Sequence, residues 1–199
     1  MKKIKTLIVS SILLAVVVMA PNASAVLISL GTVPGRVATL DSATTGFGTT
    51  GIGNAIESTL NGISFGGINT WDEKDESTAT VNGGLFTVGL TSGAWGSGGA
   101  AGNWTINDAS FWTTFGSVAI SMHVGNGGGD PDHFIWLIEQ GELTGTFSYT
   151  RGDTGGGGFS NLKLYAAGTG SRVPDAGTTL VLLGGGLIGI GALRRRLSK

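Results

Sequence analysis

Residues 117–124 alternate strictly: Val118, Ile120, Met122 and Val124 fall on one side of an extended chain, and Ser117, Ala119, Ser121 and His123 on the other. Side chains of a strand project to opposite faces in turn, so this pattern specifies a half-buried strand. Five more stretches carry strand signals. Residues 26–30 are a short apolar run. Residues 85–90 set Phe86, Val88 and Leu90 against Leu85, Thr87 and Gly89. Residues 133–138 are nearly all apolar, which predicts a strand buried on both faces. Residues 143–150 set Leu143, Phe147 and Tyr149 against Thr144, Thr146, Ser148 and Thr150, and residues 162–166 set Leu162, Leu164 and Ala166 against Lys163 and Tyr165. Glycine-rich segments at 93–102 and 155–158 read as loops. The best helical pattern is residues 52–60, where Ile52, Ile56 and Leu60 recur every four residues, hemmed in by Gly51, Gly53 and Gly62. Short alternating strands with glycine-rich turns predict a mainly β domain, a β-sandwich over residues 26–170.

The two ends have a different character. Residues 1–25 have the parts of a signal peptide: Lys2, Lys3 and Lys5, then an apolar run over 7–20, then Ala23-Ser24-Ala25. Small residues at Ala23 and Ala25 are what a signal peptidase accepts, so cleavage is expected after Ala25. From Val26 to Arg172 there are twelve Asp or Glu but only five Lys or Arg, a net charge of −7. Such a surface argues against a nucleic-acid partner, which needs basic residues. The chain has no cysteine, which excludes disulfides, thiol catalysis and thiolate metal sites.

Residues 171–199 are predicted to be a linker and a tripartite tail. Val173, Pro174, Asp175, Ala176 and Gly177 come first, then sixteen uncharged residues from 178 to 193, then Arg194, Arg195 and Arg196 and a basic end over 194–199. As a helix the uncharged run spans roughly 24 Å, at about 1.5 Å per residue. That is short for a bilayer core of about 30 Å, and the arginines can snorkel to reduce the mismatch. A single transmembrane helix at 178–193 is expected, with the arginines cytoplasmic and the preceding domain outside.

Motif, apolar run and arginine cluster in this order resemble the C-terminal sorting signal of the PEP-CTERM class, most nearly its VPDSG-CTERM variant, with Ala176 where that variant has serine. The resemblance implies a membrane partner, an exosortase-like transpeptidase that reads the signal. It also implies a location that begins at the inner membrane and ends at the cell surface or outside the cell. Residues 159–165, Phe-Ser-Asn-Leu-Lys-Leu-Tyr, are similar to the closing strand of many exosortase-sorted proteins, in which it completes a jelly-roll-like sandwich. The expected function is that of an exported, non-enzymatic surface or matrix protein associated with exopolysaccharide. The alternative is a carbohydrate-binding or hydrolytic ectodomain on the same anchor.

Candidate sites within the domain are few. Asp130 and Asp132, in Gly-Gly-Gly-Asp-Pro-Asp-His, offer oxygens to Ca²⁺, the one cofactor candidate, and His123 stands across an expected hairpin from His133. The bland reading is a structural turn. The run Asp72-Glu73-Lys74-Asp75-Glu76 lacks EF-hand spacing and reads as a solvated turn. Glu139 and Glu142 flank a Gln-Gly turn and read as hairpin solubilisers. Five tryptophans, Trp71, Trp95, Trp104, Trp112 and Trp136, are candidates for sugar stacking if exposed and for the core if not. Arg151-Gly152-Asp153 reads as a turn. No nucleophile elbow or Walker sequence appears. No catalytic residue is expected.

Overall fold

The structure, a computed structural model, describes residues 26–31, 35–53, 55–125, 131–152 and 157–169. Ten strands lie among them: β1 (Ile28–Gly31), β2 (Arg36–Leu40), β3 (Ala43–Thr49), β4 (Asp72–Thr78), β5 (Phe86–Gly93), β6 (Gly99–Ile106), β7 (Ser117–His123), β8 (His133–Ile138), β9 (Thr144–Arg151) and β10 (Asn161–Ala167). Two short helices, α1 (Ile56–Gly62) and α2 (Phe111–Thr114), and a 3-10 turn at Phe65–Gly67 complete the elements. The strands form two five-stranded sheets, β1-β2-β9-β6-β5 and β3-β8-β7-β10-β4, and every neighbouring pair is antiparallel.

The two sheets close over one apolar core. Leu40, Phe86, Trp104, Phe147 and Tyr149 enter from the first sheet, and Ile120, Met122, Phe134, Trp136 and Leu164 from the second. The alternation of residues 117–124 is realised: Val118, Ile120, Met122 and Val124 are fully buried against the first sheet. The expected strands at 85–90, 133–138, 143–150 and 162–166 correspond to β5, β8, β9 and β10, with Phe147 and Tyr149 inward as the pattern required. The mainly β, two-sheet expectation holds.

Several expectations are corrected. Strands β2, β3, β4 and β6 were not marked by alternation of apolar residues. The 93–102 loop ends at residue 98, because β6 begins at Gly99. Glycine is accepted there since close strand approach requires it. A Cβ on Gly102 would lie 2.2 Å from the Gly89 carbonyl oxygen. The helix begins at Ile56, not Ile52, because Gly51 and Gly53 have φ of 75° and 54°, which no α-helix contains.

The acidic run 72–76 is β4, an edge strand paired with β10, and not a turn. Asp75 explains why a strand so polar is held in place. Its carboxylate accepts the backbone N–H groups of Leu85 and Phe86 at 2.8 and 2.7 Å, which ties the second sheet to the start of β5 in the first. The segment around Glu139 and Glu142 is an arch between the two sheets, since β8 and β9 lie in different sheets, and not a hairpin turn.

The outer face of the second sheet is not solvated. The segment of residues 52–71 lies across it, with Ile56, Leu60, Phe65 and Trp71 packed on Ala119, Ile135, Tyr165 and Ala167. Asn61 pins this cover: its side chain accepts from the Trp71 N–H at 2.6 Å and donates to the Trp71 carbonyl at 3.0 Å. Among the described residues no helix is long and apolar enough to cross a membrane. The expected transmembrane run at 178–193 and the signal peptide at 1–25 lie outside the described residues.

Candidate functional site

Polar chemistry concentrates at the loop end of the β7–β8 hairpin. The register places His123 directly opposite His133, and their rings stack with centroids 4.4 Å apart. Asp132 Oδ1 is 2.7 Å from His133 Nδ1. An ionised carboxylate only accepts, so Nδ1 carries the proton in this pair. Asp132 also accepts the Gly51 N–H, at 3.2 Å to each oxygen. Burial pushes the Asp132 carboxyl up, but the hydrogen bonds from His133 and the Gly51 amide outweigh it and hold the carboxyl below its usual range. For His123, burial and then the neighbouring His133 lower the pKa, and Asp132 opposes this only in part. His133 is 1% exposed, while Asp132 and His123 are half-buried.

Arg36 completes this end of the molecule. It is fully buried at the start of β2, and its Nη1 donates to the carbonyls of Val124, Gly125 and Pro131 at 3.3, 3.4 and 3.5 Å. It therefore clamps both limbs of the hairpin to the first sheet. Sequence reasoning assigned Arg36 no role. Its position in phase with Ala38 and Leu40, both buried, was the available signal.

Of the calcium candidates, Asp132 is engaged as described, and Asp130 lies outside the described residues. Among the described residues no group of three or more His, Cys, Asp or Glu is arranged to hold a metal ion.

The tryptophans divide by burial. Trp71, Trp104 and Trp136 are interior. Trp112 is half-buried and donates from Nε1 to the Glu142 carbonyl at 2.8 Å. Trp95 is half-buried beside a shallow cleft of about 410 Å³, where it stacks on Phe159 at 4.4 Å. Glu139 and Glu142 are on the arch after β8, where the Glu142 N–H closes a turn onto the Glu139 carbonyl at 3.2 Å. On the covered face, Glu73 accepts from Lys163 at 3.0 Å and from the Tyr165 hydroxyl at 3.2 Å. Burial, then the Glu73 charge, raises the Tyr165 pKa.

The remaining sequence-predicted positions, Ala23, Ala25, Val173, Pro174, Asp175, Ala176, Gly177, Arg194, Arg195 and Arg196, lie outside the described residues. For these the comparison with known proteins is informative. No curated protein and no solved structure matches the chain. Residues 172–197 match the family model described as the VPDSG-CTERM motif, so the chain carries a C-terminal sorting signal of the PEP-CTERM type.

Proposed function

We propose that this is an exported, non-enzymatic surface or matrix protein, delivered through a signal peptide at residues 1–25 and processed at its C-terminus by an exosortase-like membrane enzyme. The observation that carries the reading is the sorting signal at residues 172–197. In this reading the chain is the substrate of that enzyme, and it is held in the inner membrane by residues 178–193 before its transfer to the surface. The nested pairing of β2 with β9 and of β3 with β8, one pair in each sheet, supports a jelly-roll-like description of the ectodomain. The use of Asp132 and Arg36 in backbone support, with His133 bonded to Asp132, favours a structural role for the hairpin end. No cofactor is required.

The test is mass spectrometry of the mature protein from its native host. The expected chain begins at Val26 and has lost the residues beyond the Val173–Gly177 motif. Replacing Arg194, Arg195 and Arg196 with neutral residues should block C-terminal processing, because the motif is then no longer held at the outer boundary of the membrane. An intact C-terminus at Lys199 in wild-type cells would show a plain anchor, and an N-terminus at Met1 would remove the signal peptide. The calcium candidates are tested by a melting curve in millimolar Ca²⁺, expected to be unchanged, since binding to the folded state alone would raise it.

A further inference from the structure

The outward positions of the first sheet form a surface of unusual chemistry. Thr144 on β9 is directly opposite Thr105 on β6, which is opposite Thr87 on β5. The next row pairs Thr146 with Asn103, and the next pairs Ser148 with Thr39, whose hydroxyls are 2.7 Å apart. Asn103, Thr144 and Thr146 are exposed. The charged residues on these five strands are Arg36, which is buried, and Arg151, which donates to the Gly157 carbonyl at the sheet end. The outward face is therefore uncharged, on a domain whose formal charge is −7.

That chemistry narrows the partner by elimination. An anionic polymer needs cations, and the face has none. A cationic partner would be drawn to carboxylates, and those of β4 lie in the other sheet. A protein partner, a second copy included, needs large apolar or aromatic anchors at the centre of the interface, and here the centre is Thr, Ser and Asn with only the small Ala101 beside Ser148, while Val37 lies to one side on β2. A neutral polyol needs what the face supplies, hydroxyls that both donate and accept. They stand on strands about 4.7–4.9 Å apart. Threonine has few χ1 rotamers, so the array is partly ordered before binding.

We propose that the outer face of the β1-β2-β9-β6-β5 sheet is a docking surface for a neutral polysaccharide. This deepens the exported-surface reading and rests on it for bringing the domain to extracellular glycan. The experiment is co-sedimentation of the full chain, purified in detergent micelles, with insoluble cellulose and curdlan, and with alginate beads as the anionic control. Saturable binding to a neutral glucan, little changed between low and high salt, is the expected result. The Asn103→Ala/Thr144→Ala/Thr146→Ala variant should bind about tenfold or more weakly, as the loss of several hydrogen bonds implies. Asn103→Lys, which leaves the threonines in place, should weaken binding as well. Both should melt like the wild type, and Trp95→Ala in the cleft should bind normally. Failure of every neutral glucan to bind the wild type would overturn the proposal. So would binding that survives both face variants or is abolished by Trp95→Ala. A dimer dissolved by Asn103→Lys in the absence of glucan binding would assign the face to self-association instead. Glucan binding with an unprocessed C-terminus would sink the sorting reading alone, and normal processing without glucan binding would sink the surface alone.

Discussion

The two sheets are built alike and finished differently. Each has five antiparallel strands and contributes one face to a shared core. On the outside of the second sheet stand Ala119, Ile135 and Tyr165, all at most 1% exposed, under a cover made of residues 52–71. On the outside of the first stand mainly Thr, Ser, Asn and Gly, with Ala101 and Val37 among them, exposed or half-buried. The identity of the outward residues accounts for the difference. Ile and Tyr gain free energy when covered, at about 25 cal/mol per Å² of apolar surface. Thr and Asn gain little and would leave polar groups to satisfy. A sheet face thus acquires a cover where its outward positions are apolar, and stays free to bind where they are hydroxylic.

The comparison is tested hardest by removing the cover's main anchor. Trp71 is 2% exposed, packs against Phe65 and donates from Nε1 to the Phe65 carbonyl at 3.1 Å. Trp71→Ala should cost about 3–5 kcal/mol in urea unfolding followed by circular dichroism. A loss under about 1 kcal/mol would mean that the cover is not coupled to the sheet beneath.

If the asymmetry belongs to the outer faces alone, the inner face of the first sheet should be as intolerant as any core. A Cβ on Gly145 would lie 2.7 Å from the Trp104 ring across the β6–β9 pair. Gly145→Ala should therefore destabilise by about 1–3 kcal/mol, measured in the same way. Stability equal to that of the wild type would show that Trp104 has room to move.

The faces also differ in titration. His123 and His133 are on the outside of the second sheet, while the outward positions of the first carry no titratable group. The folded-state pKa of His123 lies below its unfolded value, so the unfolded chain binds the proton more readily. Stability should be full above the ordinary histidine value of about 6.5 and should fall as pH drops through that value. Asp132, whose folded pKa is lowered, should add a second loss as pH falls through the carboxylate range. Melting temperatures from pH 8 to 4 measure both, and His123→Gln should flatten the upper step. An unaltered profile in that variant would place the titration elsewhere.

The smallest effect is expected on the free face. Thr146→Ala should change stability by no more than about 0.5 kcal/mol, because the site is exposed and away from packing. A larger loss would show that this face is structural.

Residues 117–124 show how far local pattern reaches. Their alternation set which side chains enter the core, and the structure agrees at Val118, Ile120, Met122 and Val124. The same pattern misjudged the other face: Ala119 and Ser121 read as solvent-facing, yet both are fully buried, and a segment some sixty residues earlier packs on Ala119. Strand β4 was missed for the opposite reason. Its residues are charged, and it is held as an edge by pairing with β10 and by Asp75 reaching the amides of Leu85 and Phe86. Arg36 is similar: its role depends on three carbonyls about ninety residues away, at the β7–β8 hairpin.

By itself the sequence determined the sorting signal at residues 172–197, because a motif, an apolar run and three arginines act through their order along the chain. It likewise determined the strand-rich character of the domain, because period two is a property of neighbours. Only the tertiary structure decided which strands share a sheet, which outer face is covered and which is left bare. Those outcomes depend on contacts between residues far apart in the chain, and no local periodicity records them.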